Sequence, residues 1–259
     1  MATVDSINLT VTASDGSIIN IAGPLTAPVV TVTPPPPVPQ PPAIPATATT
    51  VNMLTAVLAA NHDAGTSGTS TGTTTYPVAA PDGTPNCRLF EFTNSGGGGE
   101  IYHGRVMADA SAYSNFCYRA KEYSPDWSNI TNAEKDLEHC DASGKPLDMA
   151  SQLDGYNGVV DVTENHKWVG TGIKANPAAR LPGTWHTTDV YFRDNGDGTV
   201  TYVGVTLDGV YYPIGVTAAD VDAATWSKND LNLQLQYDSK AAGPVTSKVY
   251  MAQLDVICW

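Results

Sequence analysis

The stretch TWHTTDVYFRDNGDGTVTYVGVTLDGVYYPIG, residues 184 to 215, decides the fold class of this chain. In its first part, every second residue from Trp185 to Arg193 faces one way and the residues between them face the other. Turn residues follow at 194–198 and again at Asp208-Gly209. Such turns between alternating segments are typical of β-hairpins, so the stretch predicts three antiparallel strands in succession.

Strand signals of the same kind recur through most of the chain, and they extend the prediction from a hairpin to a domain. Ten short strands are more than one flat sheet carries comfortably, and two antiparallel sheets packed face to face accommodate them. The sequence therefore predicts an all-β fold, a two-sheet antiparallel jelly-roll sandwich. The predicted strands are 87–92, 101–107, 114–123, 158–162, 168–174, 185–193, 199–207, 210–216, 231–237 and 248–259.

Three features of this region resemble the concanavalin A-like lectin/glucanase superfamily, including laminin-G-like domains. They are the W-H-x-x-x-V-Y strand that starts at Trp185, the L-D-G turn that ends at Gly209, and the closing strand 249–259. The resemblance covers roughly residues 80 to 259. It implies a jelly roll and makes carbohydrate the expected ligand class.

A proline-rich linker, PPPPVPQPPAIP at residues 34–45, divides the chain because so many prolines favour an extended rod. We therefore predict an N-terminal β arm at 1–33, a stalk at 34–75 and the jelly-roll domain at 76–259. Within the stalk, residues 50–61 have apolar spacing that fits either one short helix or a strand. The Gly/Ser/Thr-rich stretch 64–77 is interpreted as a flexible loop.

The arm is predicted to serve as an anchor or oligomerisation element. Its apolar residues alternate with asparagine and threonine, which predicts two or three short strands. So few strands are marginal on their own in water, so the arm is expected to fold against a partner. The predicted anchor residues are Ile7, Leu9, Val11, Ile19 and Ile21.

Composition limits the partners. Thirteen basic against 26 acidic residues give a net charge of -13, which disfavours nucleic acid. The N-terminus has no secretion signal and no run of residues suits membrane insertion, so synthesis in a host cytoplasm is expected. No metal or other cofactor is expected, since the histidines lack ligand spacing. Buried reduced thiols are expected at Cys87, Cys117, Cys140 and Cys258, with a disulfide such as Cys117 to Cys140 left open.

The run Glu134-Lys135-Asp136-Leu137-Glu138 matches the E-x-D-x-E signature of retaining glucanases in the resembled superfamily. On a strand the three acids would share one face, where one could attack the anomeric carbon and another protonate the leaving oxygen. Two features argue against this. Lys135 would point into the core, and residues 127–140 fit a helix capped by Thr131 or Asn132. Catalysis by Glu134, Asp136 and Glu138 is therefore an alternative, and the chain is not expected to be an enzyme.

Aromatic and polar residues on loops and strands predict a shallow glycan-binding groove, because aromatic faces stack on sugars while Asp and Asn oxygens bind hydroxyls. The predicted glycan-binding residues are Asp154, Tyr156, Asn157, Tyr211 and Tyr212. The DNGDGT stretch at 194–199 lacks the later bidentate acid of a calcium loop and is interpreted as a hairpin turn.

The complete layout, a β arm, a proline stalk and a lectin-like head, resembles a head decoration protein or head fibre of a tailed bacteriophage. The resemblance implies a virion location and docking of the arm on the major capsid protein or another virion protein. We expect a homo-oligomer, specifically a homotrimer, that displays the head toward cell-surface glycans. Two alternatives stay open: a glycoside hydrolase or lyase of the same fold, and a bacterial lectin or adhesin.

Overall fold

The computed structural model of the 259-residue chain describes residues 7–23, 29–33, 37–64, 66–140, 145–155, 158–165, 167–174, 180–219, 227, 229–239 and 242–259. These residues form two compact units, Met1–Gln40 and Pro41–Trp259. Strands dominate both, and no helix within the described ranges has the length and apolar character to cross a bilayer. The all-β prediction is confirmed.

The first unit contains a three-stranded antiparallel sheet in the order β1-β2-β3. Its strands are β1 Ile7–Thr12, β2 Ile18–Gly23 and β3 Val29–Thr33. The register pairs Leu9 with Ile21 and Val11 with Ile19, so these four predicted anchor residues share one face. Ile7 begins β1 and is paired with Gly23.

The second unit is a sandwich of two antiparallel sheets. One has seven strands in the order β13-β12-β11-β10-β17-β8-β5, with β10 at its centre. Its strands are β5 Ala59–His62, β8 Gly99–Met107, β10 Ile130–Cys140, β11 Pro146–Asp154, β12 Val159–Glu164, β13 Lys167–Gly170 and β17 Leu231–Ser239.

The facing sheet has eight strands in the order β16-β15-β14-β9-β18-β7-β6, with β4 paired to β18 beside this path. Its strands are β4 Thr49–Asn52, β6 Thr69–Val78, β7 Cys87–Ser95, β9 Asn115–Tyr123, β14 Trp185–Asp194, β15 Thr199–Leu207, β16 Val210–Ala219 and β18 Val245–Cys258.

The core lies between the two sheets and is built from alternate residues of each strand. In β17, Leu231, Leu233, Leu235 and Tyr237 are fully buried in the main cluster. The residues between them are polar and point to the opposite face of the sheet. Cys87, Cys117, Cys140 and Cys258 are all buried, and none forms a disulfide.

Two predictions of local structure are wrong. Residues 127–140 are not a helix: one 3-10 turn at Trp127–Asn129 leads directly into β10. The stretch 64–77 is not a flexible loop throughout, because Thr69–Val78 forms β6 and pairs with β7. In both segments cross-strand pairing within a sheet outweighs the local preference of charged or small residues.

Candidate functional site

The candidate site is the face of the seven-stranded sheet that points away from the core, here called the acid face. Its centre is formed by Glu134, Asp136 and Glu138 on β10. Successive side chains of a strand alternate between faces, so these three point the same way. The Cα atoms of Glu134 and Asp136, and those of Asp136 and Glu138, are about 6.6 Å apart along the strand. Glu134, Asp136 and Glu138 are only 6 %, 2 % and 9 % exposed, respectively.

Neighbouring strands surround these acids with amides and further carboxyls. On the β17 side, Gln236 and Gln234 lie opposite Glu134 and Asp136, and the Nε2 atom of each donates a 3.0 Å hydrogen bond to its partner. On the β11 side, Gln152 lies opposite Glu134. The sheet register therefore places a central row of carboxyl groups between two amide-bearing strands.

Several buried polar atoms of the acid face have no hydrogen-bond partner within the part of the chain that the structure describes, and three of them matter for ligand binding. These three are Oδ1 of Asp136, Oε1 of Gln152 and Nδ2 of Asn232. Buried polar groups are normally paired, and leaving one unpaired costs ~1–3 kcal/mol. Two acceptors and one donor on the same face are complementary to hydroxyl groups, which both donate and accept.

Crowding of carboxyls on this face changes their titration. Burial, together with the Asp238 and Asp63 carboxylates, raises the pKa of Glu134 well above its ordinary value. Burial and the neighbouring Glu134 raise the pKa of Asp136 in the same direction. Burial also raises the pKa of Asp238 to about 6. Perturbed carboxyls of this kind are frequent at catalytic sites, where an acid must hold its proton near neutral pH.

Lys135 points into the core, which is the consequence expected of a strand at these residues, but it has a charge partner there. Its Nζ lies 3.0 Å from Oε1 of Glu122, and Arg180 Nη1 lies 3.1 Å from the other oxygen of that carboxylate. The Tyr237 hydroxyl donates to Glu122 Oε1 at 2.9 Å. Because Glu122 belongs to β9 and Lys135 to β10, the ion pair joins the two sheets beneath the acid face.

The buried network fixes the charge of Glu122. Burial alone would raise its pKa, but the Lys135 ammonium and then the Arg180 guanidinium lower the pKa of Glu122 to about 2. Burial in turn lowers the pKa of Lys135, against the attraction of Glu122. The lysine that argued against the E-x-D-x-E interpretation is thus accommodated by a charge partner.

These pKa values predict a stability maximum near pH 4–5. Glu122 titrates at about 2 in the folded chain instead of 4.5, so its stabilisation is lost as the pH falls below that ordinary value. Asp238 titrates at about 6 instead of 3.8, so the folded state loses stability as the pH rises between these values. The Asp238 effect amounts to about 3 kcal/mol at 1.36 kcal/mol per unit.

Urea unfolding at pH 3, 4.5 and 7.5 measures this profile. We expect Asp238→Asn to reduce the decline above pH 4.5, to which Glu134 and Asp136 also contribute, and to leave the acid side unchanged. A wild-type free energy of unfolding that increases steadily up to pH 7.5 would contradict the prediction.

The predicted glycan-binding residues that the structure describes lie on strands of two different sheets. Asp154 lies on the acid face at the end of β11, whereas Tyr211 and Tyr212 lie on β16 in the other sheet. Tyr211 packs in a small cluster with Tyr191, and its hydroxyl donates to the Val203 carbonyl oxygen. Tyr212 packs against the main core. Tyr156 and Asn157 lie outside the described residues.

The site includes residues that the sequence analysis did not select, namely Asp63, Gln152, Asn232, Gln236 and Asp238. A usable signal was present in β17, LNLQLQYD at residues 231–238, where leucine or tyrosine alternates strictly with amides and an acid. The polar face of this strand carries amides and an acid, whereas the polar face of an ordinary solvated strand is usually rich in threonine and lysine. No group of three or more His, Cys, Asp or Glu side chains in the described ranges is arranged to hold a metal ion.

Comparisons with known proteins give distant structural similarities. The sequence matches no protein-family model and no curated protein. A conserved carbohydrate esterase from the Shiga toxin-encoding bacteriophage phi24B is 13% identical to this chain, with a TM-score of 0.44. The match covers 82% of this chain and 99% of the esterase chain.

Lectin II from Ulex europaeus is 10% identical to this chain, with a TM-score of 0.39. The match covers 81% of this chain and 97% of the lectin chain. The family 11 carbohydrate-binding module of a Clostridium thermocellum cellulosomal cellulase is 10% identical with a TM-score of 0.36, covering 84% and 97%. All three TM-scores are below 0.5, so these similarities carry no conclusion about function.

Proposed function

We propose that the sandwich is a glycan-cleaving domain whose acid face binds carbohydrate and whose Glu134 and Glu138 form the catalytic pair. The observation that supports this most is the placement of Glu134, Asp136 and Glu138 on one face of the central strand. Of the two arguments against their catalytic interpretation, the helical segment is replaced by strand β10, and the lysine that points into the core has a charge partner there in Glu122.

The chemistry follows from two glutamates that flank an aspartate. One carboxylate attacks the anomeric carbon or activates a water, and the other, as an acid, protonates the leaving oxygen. Asp136 lies between them, and burial together with the charge of Glu134 raises the pKa of Asp136 well above its ordinary value. Gln234 and Gln236 hold the carboxyls in place through their hydrogen bonds, while the unpaired atoms of Gln152 and Asn232 bind sugar hydroxyls.

The charge of the acid face selects the substrate class. Arg105 shares a register row with Asn232 and Glu138, but its guanidinium is bound to Asp230 at 2.7 Å. The surrounding carboxyls repel polyanions, so we propose an uncharged polysaccharide as the substrate.

Incubation of the full chain with a panel of neutral and acidic polysaccharides tests this proposal. We expect new reducing ends from a neutral glycan only, detected by a reducing-sugar assay. Proton NMR of the first product then reports its anomeric configuration: retention indicates a glutamate nucleophile, and inversion indicates an activated water. Cleavage of acidic polysaccharides alone, or of none in the panel, would contradict the proposal.

The arm favours a second role, anchoring as a virion structural protein. Leu9 and Val11 are 48 % and 42 % exposed although they share an apolar face with Ile19 and Ile21. Exposed apolar faces of this kind mark association sites. In this role the arm would bind a capsid protein or other copies of the chain as a homotrimer, and the sandwich would act on cell-surface glycans from the particle.

Leu9→Asp tests the anchoring role against Thr10→Asp, which places the same charge on the opposite face of β1. Thr10 is bonded to Asn20 on that face. We expect Leu9→Asp to abolish oligomerisation in light scattering and co-sedimentation with capsids that lack the protein, and Thr10→Asp to retain both. Equal behaviour of the two variants, or a monomeric wild type that does not sediment, would contradict anchoring.

A further inference from the structure

Trp168 lies on the acid face, at the outer edge of the seven-stranded sheet. Its strand β13 pairs Gly170 with Asp161, and a Cβ atom at Gly170 would lie 3.5 Å from Oδ1 of Asp161. Asp161 in turn pairs with Gln152, whose Nε2 donates to Oδ2 of Asp161 at 3.2 Å. Side chains two residues apart on a strand share a face, so the Trp168 indole projects from the same face as Asp161 and Gln152.

One row of the acid face connects this edge with the proposed catalytic pair. The row crosses β10, β11, β12 and β13 through Glu134, Gln152, Asp161 and Gly170, in that order. Adjacent strands are about 4.8 Å apart, so the row extends about 14 Å from Glu134 to Gly170. Gly170 has no side chain, and Trp168 is the neighbouring residue of β13 on the same face. A ligand that lies along the row therefore reaches from Glu134 to the indole.

The exposed fraction of the residues rises sharply at the edge of this path. Gln152 and Asp161 are only 5 % and 6 % exposed, whereas Trp168 is 39 % exposed. The indole of Trp168 forms no hydrogen bond and no ring contact with the residues that the structure describes. Tryptophan is highly buried on average in folded proteins, and aromatic side chains commonly line ligand sites. The packing of the sandwich thus leaves this indole open to a ligand.

We propose that Trp168 is a sugar-binding residue, which stacks on one unit of a neutral oligosaccharide while the catalytic pair holds another. This inference rests on the proposed function, and it adds that the substrate is a chain long enough to span the row. The flat, uncharged indole offers an apolar surface to the C–H face of a sugar ring. Between the two ends, the unpaired Oε1 of Gln152 accepts a hydrogen bond from a sugar hydroxyl.

Isothermal titration calorimetry of the full chain with cellohexaose, laminarihexaose and maltohexaose tests this role, with the corresponding disaccharides for comparison. The parent chain and its variants all carry Glu138→Gln to prevent cleavage. We expect Trp168→Ala to weaken hexasaccharide binding roughly tenfold, and Trp168→Phe to retain most of the affinity because phenylalanine keeps a flat ring. Disaccharide binding should stay the same, since a disaccharide at the catalytic pair does not reach β13.

Val169→Ala is the matched control for Trp168→Ala. Val169 is the next residue of β13 and is 40 % exposed, but it pairs with the core residue Val162 and points to the opposite face. We expect this variant to bind hexasaccharides like the parent chain. Equal affinities of Trp168→Ala and Val169→Ala, or no binding of any hexasaccharide by the parent chain, would overturn the inference.

Hydrolysis distinguishes a failure of this inference from a failure of the proposed function. With both catalytic glutamates intact, Trp168→Ala should raise KM for the hexasaccharide roughly tenfold and leave kcat nearly unchanged, because the indole is remote from the reacting bond. Cleavage with the same KM in Trp168→Ala and Val169→Ala would overturn the role of Trp168 alone. Hexasaccharide binding that depends on Trp168 but leads to no cleavage would contradict the proposed function and support the binding role.

Discussion

Glu134→Gln and Glu138→Gln are each expected to reduce hydrolysis of the natural glycan by roughly 10²–10⁴-fold. Glutamine keeps the shape of glutamate but can neither attack the anomeric carbon nor deliver a proton. Both side chains are buried in the sheet surface, and Gln236 already bonds Glu134. The substitutions therefore remove chemistry with little change in packing, and kcat/KM of the purified variants measures the loss.

Glycosides with an activated leaving group separate the two roles. Such substrates depart without protonation, so the variant of the acid regains activity on them, while the variant of the nucleophile or base does not. Glu164→Gln, an exposed substitution on β12 of the same sheet, should retain wild-type rates. If Glu134→Gln and Glu138→Gln both cleave the natural glycan at that control rate, the catalytic pair is wrong.

The sandwich itself was predictable because its strands carry local signals. Residues 185–193 alternate in polarity, and the structure buries His186, Thr188, Val190 and Phe192 on the inner face of β14. The turn at 194–198 carries its own hydrogen bonds, such as that from the Gly196 N–H to the Asp194 carboxylate. Where the alternation of a strand and the residues of its turn both specify the same strand pairing, the sequence is enough to predict that pairing.

The acid face was harder to predict because its meaning depends on neighbours that are remote in sequence. The run at 134–138 has the charge pattern of an exposed helix, and only pairing with β11 and β17 makes it a central strand. Lys135 is tolerable in the core only through Glu122, which lies 13 positions away on the other sheet. The E-x-D-x-E motif can be found in the sequence. Its structural environment, however, is formed only when the strands of the sandwich are assembled.

Glu122→Gln is expected to lower the free energy of unfolding by about 3–5 kcal/mol, the usual cost of breaking a buried ion pair by removing one partner. The side chain of Glu122 is completely buried and that of Lys135 is 3 % exposed. Without the carboxylate, the Lys135 ammonium and the Arg180 guanidinium face each other in the core uncompensated. Urea unfolding at pH 7, followed by circular dichroism, measures the change.

Glu91→Gln is the matched control, since it breaks the Glu91–Lys248 ion pair at 3.3 Å, in which both side chains are about 40 % exposed. Exposed pairs contribute ~0–1 kcal/mol, so this variant should unfold almost like the wild type. Lys135→Met in the Glu122→Gln background should recover part of the loss, because it removes the uncompensated ammonium and leaves an apolar side chain of similar length. If Glu122→Gln were no less stable than Glu91→Gln, the ion pair would not hold the two sheets together, and the accommodation of Lys135 beneath the acid face would need another cause.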